Sequence, residues 1–336
     1  MRAPDFWFKS GDWRAALLRP VAALYGAIAA FRMNRSGFCA PVPVICIGNF
    51  TAGGAGKTPT AIAIASMLKE MGETPVFLTR GYGGSIDGPH MVDVTRDDAT
   101  AVGDEALLLA RVAPVVKSAD RVKGALHAST LGSVIVMDDG LQNPSLTKDF
   151  SIAVVDGESG IGNGLCIPAG PLRAPLAVQK RHTDAVLIMR PGDADKRLHN
   201  ALNPVPFWHA RLVPDAAALS ALQGRKIFAF AGIGRPEKFF AMLEREGLAI
   251  VERRAFADHA PYEMATLNAI AQQCQREGLI PVTTEKDAAR MGPLLQKASG
   301  LASLAVVPVV CEISDRAAIT AVIMAALAHR LTQRPT

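Results

Sequence analysis

The stretch GNFTAGGAGKT at 48–58 carries the densest chemistry in the chain. It lies between an apolar run at 44–47 and a helical pattern at 59–70 that Gly72 closes. A glycine-rich turn in that place lets backbone N–H groups surround phosphate oxygens, and the helix N-terminus adds a favourable dipole. Thr51, Ala52, Gly53, Gly54, Ala55, Gly56, Lys57 and Thr58 are thus expected to cradle a nucleotide, with Lys57 reaching its outer phosphates and the Thr58 hydroxyl binding Mg²⁺. Strict phosphate-loop spacing asks for glycine where Thr51 stands, and the dense GGAGKT core at 53–58 compensates. The run SVIVMDDG at 133–140 supplies a second part. Four apolar residues ending in Asp138 and Asp139 place two carboxylates at the edge of a central strand, where phosphate-loop enzymes hold Mg²⁺.

Other positions have two uses open to them. The loop RGYGG at 80–84 is a ligand approach or an ordinary turn. Asp104 caps the apolar segment that follows it, or acts as a base on an attacking hydroxyl. Arg121 meets a phosphate or joins a surface ion pair. His259, in FADH at 256–259, is a solvated or capping histidine or a partner for an acid. The cluster TTEKD at 283–287 lines a cleft or caps a helix. Gly232 and Gly234 hint at a dinucleotide fingerprint, but Glu237 holds its third glycine position.

The elements that must position these groups alternate. Strand-like runs at 44–47, 75–78, 134–137, 152–155 and 185–189 are separated by helical stretches, which implies an α/β fold with a parallel sheet covered by helices. Residues 191–222 read as a connector containing a strand-like piece at 207–213. A second block places strands at 226–231, 249–253, 280–283 and 305–310 between helices. With 336 residues, about two domains are expected: a phosphate-loop αβα domain over 37–205, a linker at 206–222 and a smaller αβα domain over 223–316. A last helix at 317–331 can return to either, the first being the expected seat.

The formal charge of +5 is concentrated at one end. Residues 1–36 hold six cations against Asp5 and Asp12, a balance of +4, which argues against a basic surface for nucleic acid. The uncharged run at 21–31 is shorter than the roughly 20 residues of a spanning helix and is closed by arginines on both sides. Pro20 suits a helix start. Leu17, Leu18, Val21, Leu24, Tyr25, Ile28 and Phe31 recur at helical spacing, and Trp7, Trp13 and Tyr25 are headgroup-type residues, so the helix lies at a membrane surface, packs on the domain, or does both. Five scattered cysteines with no C-x-x-C pair indicate neither a disulfide framework nor a zinc site.

The motifs GNFTAGGAGKTP, TRGYGG, VGDE, ADR, DDGLQN, GNG followed by PAGPLR, FADH and TEKD, in this order from the N-terminal segment to about residue 290, resemble those of the tetraacyldisaccharide 4′-kinases, the lipid A 4′-kinases of Gram-negative bacteria. The resemblance implies a P-loop NTPase-like αβα sandwich and a smaller αβα domain joined by a two-stranded linker, with an N-terminal helix dipping into the membrane. It implies ATP and Mg²⁺ as cofactors, a tetraacylated disaccharide 1-phosphate as lipid substrate, and the cytoplasmic face of the inner membrane, with no obligate protein partner. Lys57 and Thr58 would bind phosphate and metal, and Asp138 and Asp139 would organise the metal and the reacting groups, which makes Lys57 and Asp139 catalytic residues as well. Asp104 would be the general base assisted by His259, and Tyr82, Arg121 and Gln142 would hold substrate. Two positions depart from the family pattern: Asn143 stands for histidine and Ala174 for glutamate.

Overall fold

The computed structural model describes residues 3–190, 192 and 195–332. In chain order its strands are β1 (Val44–Gly48), β2 (Pro75–Thr79), β3 (His90–Met91), β4 (Val115–Lys117), β5 (Val134–Asp138), β6 (Phe150–Asp156), β7 (Ala185–Met189), β8 (Phe207–Pro214), β9 (Lys226–Ala231), β10 (Ala249–Ala255), β11 (Ile280–Thr284), β12 (Ala305–Val307) and β13 (Val309–Ile313). They form a nine-stranded sheet, β13-β8-β7-β6-β1-β5-β2-β4-β3, and a four-stranded sheet, β10-β9-β11-β12. The large sheet is parallel from β8 to β4, with β13 and β3 antiparallel at its edges. Its central strands are mainly apolar because helices cover both faces: every residue of β1, β2, β5 and β7 is buried.

β1 lies between β5 and β6, with Ile47 opposite both Asp138 and Ile152. The loops after these strands therefore emerge side by side at the carboxyl edge of the sheet, the usual place for a ligand in such folds.

The connector expected over 191–222 is in part a sheet member. Its strand piece is β8, which pairs in parallel with β7 through Val186 and Phe207. The chain leaves the large sheet along β8, builds the small sheet and comes back along β13, antiparallel to β8 with Cys311 opposite Leu212. A single strand over 305–310 does not form. Pro308 has no N–H for a ladder, so β12 ends in the small sheet at Val307 and β13 starts in the large one at Val309. The last helix, Arg316–Thr332, packs on the large sheet: Ile319, Ile323 and Leu327 share a core with Ile45, Ile64 and Val136. Arg330 Nε lies 3.3 Å from Asp149 Oδ1.

The N-terminal helix, Trp13–Met33, begins earlier than Pro20. The Asp12 carboxylate accepts the Arg14 N–H at 2.9 Å as its cap, and Pro20 sits inside the helix on its exposed side. At 21 residues, with a mean hydropathy of 1.3 over its best window, the helix is long and apolar enough to span a bilayer, a criterion that the uncharged run alone does not meet. Its small residues, Ala15, Ala22 and Gly26, face the protein, and a Cβ on Gly26 would lie 3.2 Å from Cys166 Sγ. Its large residues face out: Trp13 and Leu17 are 72% exposed and Phe31 73%. Trp7 is not among them, since its indole donates to the Pro168 carbonyl at 2.9 Å. Lys9 and Arg14 are paired with Asp5 and Asp12, which leaves Arg19, Arg32 and Arg35 as this segment's cations without a carboxylate partner among the described residues.

Candidate active site

Gly56 closes the glycine loop at φ 92°, a left-handed conformation that glycine adopts without strain, and the helix Lys57–Glu70 starts after it. The fully buried Asn49 braces the loop, its side-chain amide donating to the carbonyls of Thr51 at 2.6 Å and Gly53 at 3.1 Å. That ties two acceptors back and suits a cradle made of donors. The Ala52 N–H is already given to Pro171 O at 2.8 Å, and Thr51 bridges Leu172. The first two residues of the expected cradle thus fasten the loop to the 165–173 segment, and the amides from Gly53 onward remain for phosphate.

That segment also carries Arg173, whose Nη1 meets Asp139 Oδ1 at 2.7 Å, while Lys57 Nζ lies 3.7 Å from the same oxygen. Burial pushes the Asp139 carboxyl up, but the Lys57 and Arg173 charges outweigh it and hold it below the ordinary range. Asp138, 1% exposed at the end of β5, behaves oppositely. Burial, with the Glu105 and Asp139 charges adding to it, pushes its carboxyl up to about 7. Its Oδ1 is buried with no hydrogen-bond partner. An orphaned carboxylate oxygen beside a second carboxylate and the buried Thr58 hydroxyl fits a hard divalent cation that keeps several waters, as Mg²⁺ does. No group of three or more His, Cys, Asp or Glu residues suited to a metal occurs among the described residues, so water and phosphate oxygens would complete the shell.

Asp104, 3% exposed, opens the helix Asp104–Ala110. It does not cap that helix in the usual way, because its Oδ1 accepts only the next residue's N–H at 2.9 Å. Its Oδ2 is reached from the part of the chain that carries the four-stranded sheet, by His259 Nδ1 at 3.3 Å and Arg290 Nε at 3.1 Å. His259 has φ 56°, a left-handed conformation uncommon outside glycine. Burial pushes Asp104 up, but the His259 hydrogen bond and the Lys286, His259 and Arg290 charges bring it below the ordinary range. The hydrogen bond to Asp104 in turn raises His259. Lys286 Nζ meets Glu105 Oε1 alongside.

The RGYGG loop folds over this pair. Gly103 has φ 90°, and a Cβ there would lie 2.7 Å from the Tyr82 carbonyl, so the glycine permits the two motifs to touch. Tyr82 is 72% exposed, its ring edge-on to His259 at 5.7 Å. Beneath the loop, the buried Lys117 donates to Ala101 O at 2.8 Å. Arg121, 4% exposed, donates to Ser118 O at 2.7 Å and has no carboxylate within ion-pair range among the described residues. Burial pulls its guanidinium down to about 10. An under-partnered buried cation invites an anionic oxygen.

Gln142 is committed within the fold. Its Nε2 donates to Asn49 O at 2.7 Å and Gln179 Oε1 at 2.6 Å, which leaves only its carbonyl oxygen for a substrate. Asn143 Oδ1 accepts the Ser145 N–H at 2.8 Å in a local turn. Ala174 is fully buried against Met33 and Val178 under the N-terminal helix. Arg173, Arg290 and the Glu105–Lys286 pair were not expected in these contacts: each is an ordinary charged residue whose partner is remote in the chain.

The model of the family described as tetraacyldisaccharide-1-P 4′-kinase matches residues 14–328. Among curated relatives, the tetraacyldisaccharide 4′-kinase of Rhodopseudomonas palustris (strain BisA53) is 49% identical over 330 residues, covering 97% of this chain and 96% of its own. That of Methylobacterium sp. (strain 4-46) is 53% identical over 297 residues, covering 87% and 89%. A crystal structure of the Aquifex aeolicus protein LpxK in complex with ATP superposes with a TM-score of 0.74 at 25% identity, covering 94% of this chain and 100% of that one. Agreement over nearly the whole length, in sequence and in fold alike, shows that the chain belongs to the tetraacyldisaccharide-1-P 4′-kinase family and is a kinase.

Proposed function

We propose that this kinase transfers the γ-phosphoryl group of ATP to the 4′-hydroxyl of a tetraacylated glucosamine disaccharide 1-phosphate, at the cytoplasmic face of the bacterial inner membrane. The observation that carries the reading is the pairing of Asp104 with His259 across the cleft, beside a glycine loop and two carboxylates. Phosphoryl transfer needs positioning and charge neutralisation more than covalent chemistry. The amides from Gly53 to Thr58 and the Lys57 ammonium hold the phosphates. Thr58, Asp138 and Asp139 would hold Mg²⁺, which when bound would supply charge neutralisation at the phosphates. Asp104 accepts the proton of the attacking hydroxyl, and His259 shares the proton equilibrium of the pair. Tyr82 and Arg121 bind the acceptor, Arg121 at an anionic oxygen, with Gln142 limited to its carbonyl. Incubation with γ-labelled ATP and the lipid acceptor in detergent tests this: a labelled lipid that appears with Mg²⁺ and disappears with a chelator is expected, and its absence under both conditions refutes the substrate.

The metal reading has a pH signature. A buried carboxyl with a folded value of about 7, against roughly 3.9 unfolded, binds its proton more tightly in the folded chain. It therefore stabilises the metal-free fold at acid pH, and that contribution is lost as pH rises through 7. Mg²⁺ must displace this proton, so its apparent affinity is expected to be about ten-fold weaker at pH 6 than at pH 8. Thermal midpoints followed against Mg²⁺ concentration at the two pH values measure it, with Asp138→Asn removing the difference; equal affinities at both would sink the assignment.

The outward face of the N-terminal helix supplies the membrane contact, with Arg19, Arg32 and Arg35 toward anionic headgroups. Changing Leu24 and Phe31 together to serine is expected to weaken vesicle binding by about 10²–10⁴-fold, given roughly 1.5–3 kcal/mol per large side chain buried in apolar surroundings. Flotation with vesicles containing phosphatidylglycerol reads this out, and undiminished retention rules out the helix as the contact.

A further inference from the structure

Thr284 caps the short helix Glu285–Met291, its hydroxyl donating to Asp287 Oδ2 at 2.6 Å, and that helix lies against Asp104–Ala110 of the other domain. Lys286 and Arg290 are one turn apart and share a face. They meet two consecutive acids, Lys286 on Glu105 and Arg290 on Asp104. Arg290 is 7% exposed and donates twice, Nε to Asp104 and Nη1 to Ala260 O at 3.3 Å, while Nη2 makes no hydrogen bond but lies 3.2 Å from Asp287 Oδ1 as an ion pair. Asp287 is fully buried and cannot follow the guanidinium if it moves, since it accepts from the Gly232 N–H at 2.9 Å and the Tyr262 hydroxyl at 2.8 Å. The guanidinium is thus a rigid part of the second domain that ends on the carboxylate of the first.

We infer that Arg290 is a positioning residue for phosphoryl transfer: docked from the second domain, it fixes Asp104 through Oδ2 and so turns Oδ1 toward the acceptor hydroxyl. Oδ2 takes both second-domain contacts, whereas Oδ1 accepts a single backbone N–H and keeps a lone pair free. Only a planar fork can reach Asp104, Asp287 and the Ala260 carbonyl together, which a lysine ammonium cannot do. The charged groups facing Asp104 are His259, Lys286 and Arg290 from the second domain and Glu105 on its own helix. Lys286 is occupied by Glu105, so Arg290 is the permanent charge directly on the base.

This inference rests on Asp104 being the base, and the experiment separates the two. Arg290→Met is expected to lower kcat about 10–100-fold with the KM for ATP within about two-fold, as for loss of a group that aligns a catalytic residue. The acid limb of the kcat profile should move to higher pH, because removing a cation raises the carboxylate. Arg290→Lys should return that limb toward its original place while recovering only part of kcat. In an Asp104→Ala background the Arg290→Met change should cost less than about two-fold, since a residue acting through Asp104 has nothing left to align. An equal loss in both backgrounds, or a limb that does not move, overturns the role of Arg290. Near-normal turnover by Asp104→Ala alone would instead overturn the base. If Arg290→Met does not fold, Asp287→Asn removes the buttress and keeps the cation, and its loss must likewise vanish in the Asp104→Ala background for the inference to stand.

Discussion

Replacing Lys57 with alanine is expected to lower kcat/KM about 10³-fold or more, the scale seen when a fixed donor to developing phosphoryl or oxyanion charge is lost from a preorganised site. The size follows from where the ammonium sits. Lys57 opens the helix behind the glycine loop, its side chain is 11% exposed, and it lies 3.7 Å from Asp139. Water cannot take its place cheaply in so enclosed a position, and the phosphates would face the Asp138 and Asp139 carboxylates with one fewer neutralising charge. Arg173 still holds Asp139 at 2.7 Å, so the carboxylate should keep its place and the fold its stability. Nucleotide affinity, followed by fluorescence of a labelled ATP analogue, should fall along with turnover. Activity within ten-fold of the parent enzyme would mean that the loop does not work as proposed.

Asp104→Ala is expected to act on turnover alone, lowering kcat about 10²–10⁴-fold with ATP affinity little changed, because it removes proton acceptance without touching the phosphate cradle. The variant also frees Arg290 and His259 from their shared partner. A buried guanidinium that keeps Asp287 but loses Asp104 disfavours the docked arrangement, so the thermal midpoint should drop as well. Asp104→Asn keeps shape and hydrogen bonding, which separates the two effects: it should retain most of the stability and still lack the activity. Steady-state phosphorylation of the lipid acceptor with calorimetry on the same samples measures both, and an active Asp104→Asn enzyme would remove the carboxylate from the mechanism.

The local parts of this site were legible in the amino-acid order. A glycine loop ending in Gly56-Lys57-Thr58 and an apolar run ending in Asp138-Asp139 each specify their setting within a dozen residues, since strand, turn and helix follow from nearby periodicity. What was hidden depends on distance along the chain. Nothing around Arg290 or Lys286 announces that they meet Asp104 and Glu105, more than 180 residues earlier. Trp7 looked like a headgroup residue until its indole proved to be bonded to Pro168. The length of the N-terminal helix was understated because the uncharged run was measured, whereas a helix tolerates Arg19 and Pro20 on an exposed side. At 305–310 an unbroken apolar stretch concealed a change of sheet, and Pro308 was its one local sign.

β8 and β13 are neighbours, hydrogen-bonded over Val309–Ile313, and they are the only two covalent crossings between the sheets among the described residues. A body hung from two adjacent strands swings like a door on one pair of hinges: the ribbon bends readily, while stretching it or shearing one strand past the other would break its ladder. The contacts of Asp104 with His259 and Arg290, and of Asp156 with Lys238 at 2.8 Å and Arg235 at 3.2 Å, join the parts that the ribbon connects, so bending of the ribbon is expected to strain both sets. A probe pair placed anywhere across the cleft reports on the catalytic pair, and stiffening the ribbon with one well-placed cross-strand link would tune turnover from outside the site.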